Sequence, residues 1–460
     1  MLVVDRSNCA LEFEKLGIKA EWRERDFVKE VRAYTESILS KVLLVSGLRG
    51  TGKSVGVLQA VKDLDFVYVR MDPNEDDGAE VEKFLRSRSE RVVALDEYTW
   101  AENRRNLDAF LYTMVGRGKR VIITGTESLV LEALKAGPLI HRAITVRTTH
   151  MAFPEYCRLW GVEDSQRECD EYLKRGSVFP AYVEGEGSLM SYVESAIIAN
   201  LLGYAREHCT LFDKTNVPNI VYTLLYRAIW DLLRTDPKLL RCVEEVDSSR
   251  RLERLGIDCS SVDRGDLGVV AEMLEAAGVL TIVPNLLGSG SRTYVTSPFI
   301  TYQFVKFLFP GLEESGSLMG FLYEANCMVD MCHHQLETDK VYYVAGGKAD
   351  NFEVDIVVVG NADWHKKQFY LIECKHSAKI NAHGVNWSVL NGRVEDALLK
   401  AFPDSEIGGR FIVHPGEESW QTHKSGREVA VVKQGEHLYK YYRWEKLRDE
   451  LGARSSSIFN

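Results

Sequence analysis

The sequence lacks several features that would narrow its function at once. Its nine cysteines include no CxxC pair, and the odd count argues against a complete disulfide framework; reduced thiols fit better. No apolar run is long enough to span a bilayer. The opening stretch MLVVDRSNCA carries Asp5 and Arg6 where a secretory signal needs its apolar segment, so a soluble cytoplasmic protein with no membrane partner is expected. Positive charge is also in short supply. With 57 Lys and Arg against 67 Asp and Glu, the net charge is −10, and no global field recruits nucleic acid. Any such contact has to come from a local basic patch. There is no internal repeat and no long low-complexity segment. Cys327, Cys332, His333 and His334 lie close together but match no common zinc spacing, and their segment reads as an amphipathic helix.

What is present is an ordinary globular composition, 45% hydrophobic and 27% charged, over 460 residues, enough for two to four domains. The most specific stretch is VLLVSGLRGTGKS, from Val42 to Ser54. Gly47, Gly52, Lys53 and Ser54 fill the pattern GxxxxGK[ST], with Gly50 and Thr51 inside the loop. An apolar strand precedes it, and helical spacing follows at Val57, Leu58, Val61 and Leu64. Glycines let such a loop curl so that its N–H groups point at phosphate oxygens, and the helix N-terminus adds positive potential. Lys53 is expected on the β- and γ-phosphates and Ser54 on Mg²⁺.

A phosphate loop needs a second strand bearing a carboxylate, and RVVALDEYTW supplies it. Asp96 at the strand end is expected at Mg²⁺, and Glu97 is placed to polarise an attacking water. Further strands begin at Phe66 and Arg120, with helical segments near 78–88 and 103–117, the rhythm of a doubly wound parallel sheet. Thr124 or Thr126, at the end of the fourth strand, is a candidate sensor of the γ-phosphate. No NKxD-type guanine selector is found, so ATP is the expected nucleotide.

Beyond residue 150 the sequence turns helical. SLMSYVESAIIANLLGYA suits a small lid. Residues 263–296 read as helix, strand, turn, strand, the outline of a winged helix. Its helix carries Asp263, Asp266, Glu272 and Glu275 against Arg264, a poor balance for phosphate contact, while Arg250, Arg251 and Arg254 cluster upstream. The tail then supplies the parts of a metal-dependent nuclease in order. Glu324 lies on a helix, Asp355 at the entrance of NFEVDIVVVG, and Glu373 and Lys375 at the end of QFYLIECKHS. Alternation places Glu373 and Lys375 on one strand face, where two carboxylates hold Mg²⁺ and a lysine stabilises charge or helps deprotonate water. Asp355 and Glu373 are the candidate metal ligands, and Glu353 shares the face of Asp355.

GLRGTGKS, ALDEYTW, ITGTES and HRAITVRTTHMAFPEY occur in the order of one group, and the sequence resembles it. The group is the AAA-type prokaryotic ATPases that carry a C-terminal conserved domain of unknown function, near the archaeal ATPases and signal-transduction NTPases. The resemblance covers roughly residues 30–440. Pro154 departs from the group's pattern by following Phe153 directly. The resemblance implies that Arg142 is a phosphate sensor or a finger into a neighbouring subunit, the latter requiring a homo-oligomer. The tail's Gly320–Glu324, Glu353–Asp355 and Glu373–Lys375 match the group's G-x-L-x-E, E-V-D and E-x-K and imply a PD-(D/E)xK fold.

The expected chain is therefore α/β. It comprises a P-loop ATPase core (1–150), a helical lid (151–212), a winged-helix-like connector (213–310) and a restriction-endonuclease-like domain (311–460). The expected activity is ATP hydrolysis coupled to a DNA-binding or DNA-cleaving module, or, alternatively, a regulatory ATPase whose tail only binds.

Overall fold

Alternation along the apolar runs builds the first sheet. In this computed structural model, residues 2–15, 23–39, 41–72, 78–101, 104–125, 128–136, 139–176, 189–208, 216–233, 264–312, 315–335, 338–346, 352–363, 366–377, 379–380 and 387–444 are described, with a few isolated positions in 239–262 and 446–451. Six strands arise in chain order: β1 (Leu2–Asp5), β2 (Val42–Ser46), β3 (Phe66–Arg70), β4 (Val92–Asp96), β5 (Arg120–Thr124) and β6 (Ala143–Arg147). β2 is buried along its whole length. Leu43 and Val45 enter one core with Val28, Val31, Val57 and Leu58, while Val42 and Leu44 enter the other with Val81, Leu107 and Leu111. A strand covered on both faces has no polar side to show, so it reads as an unbroken apolar run.

The sheet order is β1-β3-β4-β5-β2-β6. All neighbours are parallel except β1, which runs antiparallel along β3 and closes that edge. After β2 the chain passes through the Lys53–Val61 helix to β3, beyond β5 and β4. β6 later returns to the other side of β2. The carboxyl end of β2 is thus a topological switch point, where such sheets bind ligands. β5 separates β2 from β4 and sets Thr124 beside Val45.

The chain forms two compact units. The first holds Met1–Met151, Ser177–Leu224 and Ile257–Val279; the second holds Ala152–Gly176, Leu225–Gly256 and Leu280–Asn460. The stretch expected as a lid is helical where it is described, but 152–176 belongs to the second unit and the part from 177 to the first. Residues 263–296 give the expected element order, a helix (Arg264–Ala276), then β7 (Leu280–Pro284) and β8 (Ser291–Val295). The helix clusters with the first unit and the hairpin with the second, where Asn285 bridges to Tyr343. Asp263 and Arg250, Arg251 and Arg254 lie outside the described residues, as does the stretch 177–188.

The second unit is built on a mixed sheet. Its strands are β9 (Lys340–Ala345), β10 (Glu353–Asp363), β11 (Lys366–Cys374), β12 (Ser405–Val413), β13 (Ser419–Thr422) and β14 (Glu428–Val432), in the order β13-β14-β12-β11-β10-β9. β9, β10 and β11 form an antiparallel meander, and β12 and β14 continue parallel to β11. Phe369, Leu371, Ile412 and Val431 pack with Val394 and Leu398 of the Gly392–Ala401 helix. The Gly316–His334 helix, which carries Glu324, packs on β9, β10 and β11. Pairing of β10 with β9 slips between Val354 and Val357, a bulge that spans Asp355.

Candidate functional site

The phosphate loop grows directly out of β2. Gly50 and Gly52 have φ of 80° and 84°, left-handed values that favour glycine. At Gly47 a Cβ would stand 2.2 Å from Thr148 Oγ1, so nothing larger fits where the loop crosses the chain after β6. That crossing is bonded throughout. Thr51 Oγ1 donates to Leu48 O (2.8 Å) and shares a bond with Thr148 Oγ1 (2.8 Å), and the Leu48 N–H donates to Thr149 Oγ1 (3.2 Å). The Lys53–Val61 helix starts at Gly52 without a side-chain cap, which leaves its first N–H groups for a ligand.

Lys53 is buried, and its ammonium donates to the carbonyls of Gly47 (2.7 Å) and Leu48 (2.9 Å). Burial pulls its pKa down to about 8, against the attraction of Glu97 and Asp96. Asp96 is buried at the end of β4. Its Oδ1 accepts the Glu97 N–H (3.0 Å), and its Oδ2 accepts the Tyr68 hydroxyl. Tyr68 also reaches Ser54, so one phenol ties both expected magnesium ligands together. Burial first, then Asp96, pushes that phenol well above its usual range. Glu97 sits at φ 52°, an uncommon conformation for a non-glycine residue, and turns the chain towards the cleft.

Thr124 Oγ1 is buried without a hydrogen-bond partner, one strand from the loop. Thr126 lies outside the described residues. Arg142 is not brought to the loop of its own chain. Its carbonyl accepts the Val42 N–H (2.7 Å) at the opposite end of β2, and its guanidinium lies 4.6 Å from the centre of the Tyr112 ring. Five strand residues separate it from the loop, roughly 16 Å.

Around the loop, further groups escaped the sequence reading. Arg25 is buried and donates to Thr51 O (2.9 Å), Thr148 O (3.1 Å) and His150 O (2.7 Å), clamping the loop to the crossing chain. Tyr192 donates its hydroxyl to Arg49 O (3.1 Å). Arg49, Arg70 and Trp100 join Lys53, Ser54 and Glu97 in lining a cleft of about 270 Å³. Of these, Arg70 left a signal in the sequence, since it closes the apolar run FVYVR with a charge at the carboxyl end of β3.

The second unit brings together the tail residues. The pairing of β10 with β11 runs up to Ile356 and Ile372, the neighbours of Asp355 and Glu373, and the two carboxyl groups lie close enough to act on each other. Asp355 accepts the Cys374 N–H (2.8 Å), and burial, Glu324 and Glu373 hold its carboxyl well above the usual range. Glu373 Oε1 pairs with Lys375 Nζ at 2.7 Å, while Oε2 is buried with no hydrogen-bond partner. Burial works against the charge on Lys375, but Asp355 and Glu373 outweigh it and raise its pKa. Glu324 is half-buried on its helix, and burial with Glu353 nearby pushes its carboxyl up to about 7. Arg292 of β8, missed in the sequence, pairs with Glu353 and lies 4.3 Å from the Tyr343 ring centre.

Among the described residues, no three His, Cys, Asp or Glu side chains stand close enough together to hold one metal ion. The donor set nonetheless suits a hard divalent cation. It is all oxygen, its carboxyl groups are crowded together, and Glu373 Oε2 is unmet. A magnesium ion takes one or two carboxylates and fills its shell with water.

Residues 39–157 match a family model described as an AAA domain. That stretch contains β2 through β6, the whole phosphate loop and the acidic strand, so the chain contains an AAA-type P-loop domain that binds ATP. Solved structures with some likeness include an S. cerevisiae Hsp104:casein complex in an extended conformation (12% identity, 44% of this chain, TM-score 0.28). Another is a point mutant of Thermotoga maritima RuvB (14% identity, 61% of this chain and 91% of that one, TM-score 0.27). A third is closed-state Hsp104 with ATPγS and FITC casein (14% identity, 56% of this chain and 53% of that one, TM-score 0.30). The chain spans 40% of the first Hsp104 chain. No curated protein matches. Among the described residues, no helix is long and apolar enough to cross a membrane.

Proposed function

We propose that the chain hydrolyses ATP at the phosphate loop and that this ATPase controls a metal-dependent, nuclease-like DNA module in its second unit. The loop N–H groups and Lys53 bind the β- and γ-phosphates. Ser54 and Asp96 are the residues that would hold Mg²⁺, which screens phosphate charge. Glu97 accepts the proton of a water whose oxygen bonds to the γ-phosphorus as the bond from that phosphorus to the β,γ-bridging oxygen breaks. The products are ADP and phosphate. Glu97→Gln should bind ATP and lower turnover by about 10²–10⁴-fold. A radiolabelled-ATP turnover assay checks this, and an unchanged rate removes Glu97 from the role.

The observation that carries the nuclease-like reading is the meeting of Asp355, Glu373 and Lys375 at adjacent strand ends, with Glu373 Oε2 left unsatisfied. Asp355 and Glu373 would hold a divalent cation, which would supply Lewis acidity at a phosphodiester. Lys375 is held charged beside them, where it neutralises the phosphate or helps orient the attacking water. With Mg²⁺ or Mn²⁺ the protein should nick or cut DNA, and Lys375→Ala should abolish the products on a gel. If wild type and variant are equally inert on duplex DNA, single-stranded DNA and RNA, the cleaving function is wrong.

A second reading is a regulatory ATPase whose tail only binds. The net charge of −10 and the Lys375–Glu373 pairing favour it. Nucleotide-dependent oligomerisation without affinity for DNA would select it, and Arg142 would then serve as the finger into a neighbouring copy.

A further inference from the structure

The nucleotide cleft contains a cation that neither motif supplies. Along β3, Val67 and Val69 enter one core while Phe66 and Tyr68 enter the other. Arg70 follows Tyr68 by two residues, so period-two alternation puts it on the Tyr68 face. Tyr68 already reaches Asp96 and Ser54 from that face. Arg70 stands one step further along, at the carboxyl end of the strand, with its Cα in register with Asp96. Its side chain lines the cleft and is partly buried. Among the described residues its guanidinium makes no hydrogen bond and no ion pair.

The charge of the cleft supports a ligand there. Among the described residues that line it, Lys53, Arg49 and Arg70 face the single carboxylate of Glu97. Asp96 and Glu97 mark the end of the cleft where metal and attacking water belong, and Arg70 lies at that end. Arg142, at the far end of β2, is too distant to do the same for its own chain.

We propose that Arg70 binds the γ-phosphate of the nucleotide held by its own chain and stabilises the charge that builds on that phosphoryl group during hydrolysis. The hydrolytic half of this rests on the ATPase reading above; the binding half does not. Arginine suits the task because its planar fork meets two phosphate oxygens at once and stays charged at any working pH.

The test uses the full-length protein. Dissociation constants for ATP and ADP, with Mg²⁺, are measured by fluorescence anisotropy of labelled nucleotides for wild type, Arg70→Ala and Arg70→Lys. Both variants are checked for an unchanged melting curve. The expected result is an ATP affinity reduced about tenfold or more in Arg70→Ala, with ADP affinity unchanged. Equal loss for both nucleotides, or no loss, overturns the γ-phosphate contact. Steady-state turnover should fall about 10³-fold in Arg70→Ala and recover only slightly in Arg70→Lys. An unchanged turnover in Arg70→Ala overturns the hydrolytic role. Mixing Arg70→Ala with Glu97→Gln protein should restore no turnover, because a residue acting within its own chain cannot complement a neighbour. Restored turnover overturns the assignment to the same chain. If wild type hydrolyses nothing, the ATPase reading fails, while the ATP-against-ADP comparison still decides the contact.

Discussion

At the scale of single residues, the pattern GxxxxGK[ST] located the phosphate loop because its demands are local. Gly50 and Gly52 need left-handed backbone, and Lys53 and Ser54 follow at the helix start. Residues that act on the loop from elsewhere left no such trace. Arg25 reaches Thr51, Thr148 and His150 across the fold, and Tyr68 joins Asp96 to Ser54, contacts that no spacing encodes. Arg142 shows the converse: its position in a familiar order did not place it near the loop. Lys53 carries a measurable signature. Its pKa near 8 arises from burial in the loop, and bound phosphate raises it. Above pH 8 the free protein holds a neutral Lys53 that must gain a proton on binding. ATP affinity should therefore weaken as pH rises through 8, with proton uptake approaching one per ATP. Calorimetry in buffers of different ionisation enthalpy reads this uptake, and Lys53→Arg should remove it.

At the scale of elements, the buried parallel strands were the most legible because both faces are apolar, as in β2, β4 and β5. β1 escaped notice because four residues at an edge carry too little pattern, and LVVD reads equally well as a loop. In the second unit, β9, β10 and β11 were visible as runs, and the order Glu324, Asp355, Glu373, Lys375 was visible as a list. What alternation could not supply is the bulge between Val354 and Val357, which breaks strict period two where Asp355 meets Cys374. A bulge at this point bends the strand and aims a side chain, and it follows from pairing with β9, not from local sequence.

At the scale of the molecule, element order reads as four consecutive domains, and the chain forms two compact units whose segments alternate along it. The sequence does not reveal this because it depends on which helices pack together across long separations. One consequence concerns cutting. A fragment of residues 1–151 holds the entire first sheet but lacks Ser177–Leu224 and Ile257–Val279, which belong to the same unit. Among the missing groups is Tyr192, which bonds the loop at Arg49. This fragment should melt less cooperatively than the full chain and bind ATP about fivefold more weakly, the value of one lost hydrogen bond of about 1 kcal/mol. Scanning calorimetry and anisotropy titration measure both.

The same path bears on how the protein is made. A ribosome emits residues in order, and a domain closes once its last strip has emerged. Here the first unit waits for residue 279, by which time two strips of its neighbour are already out and without their sheet. Neither unit is one uninterrupted stretch of chain, so neither can be moved to another gene as a single continuous segment.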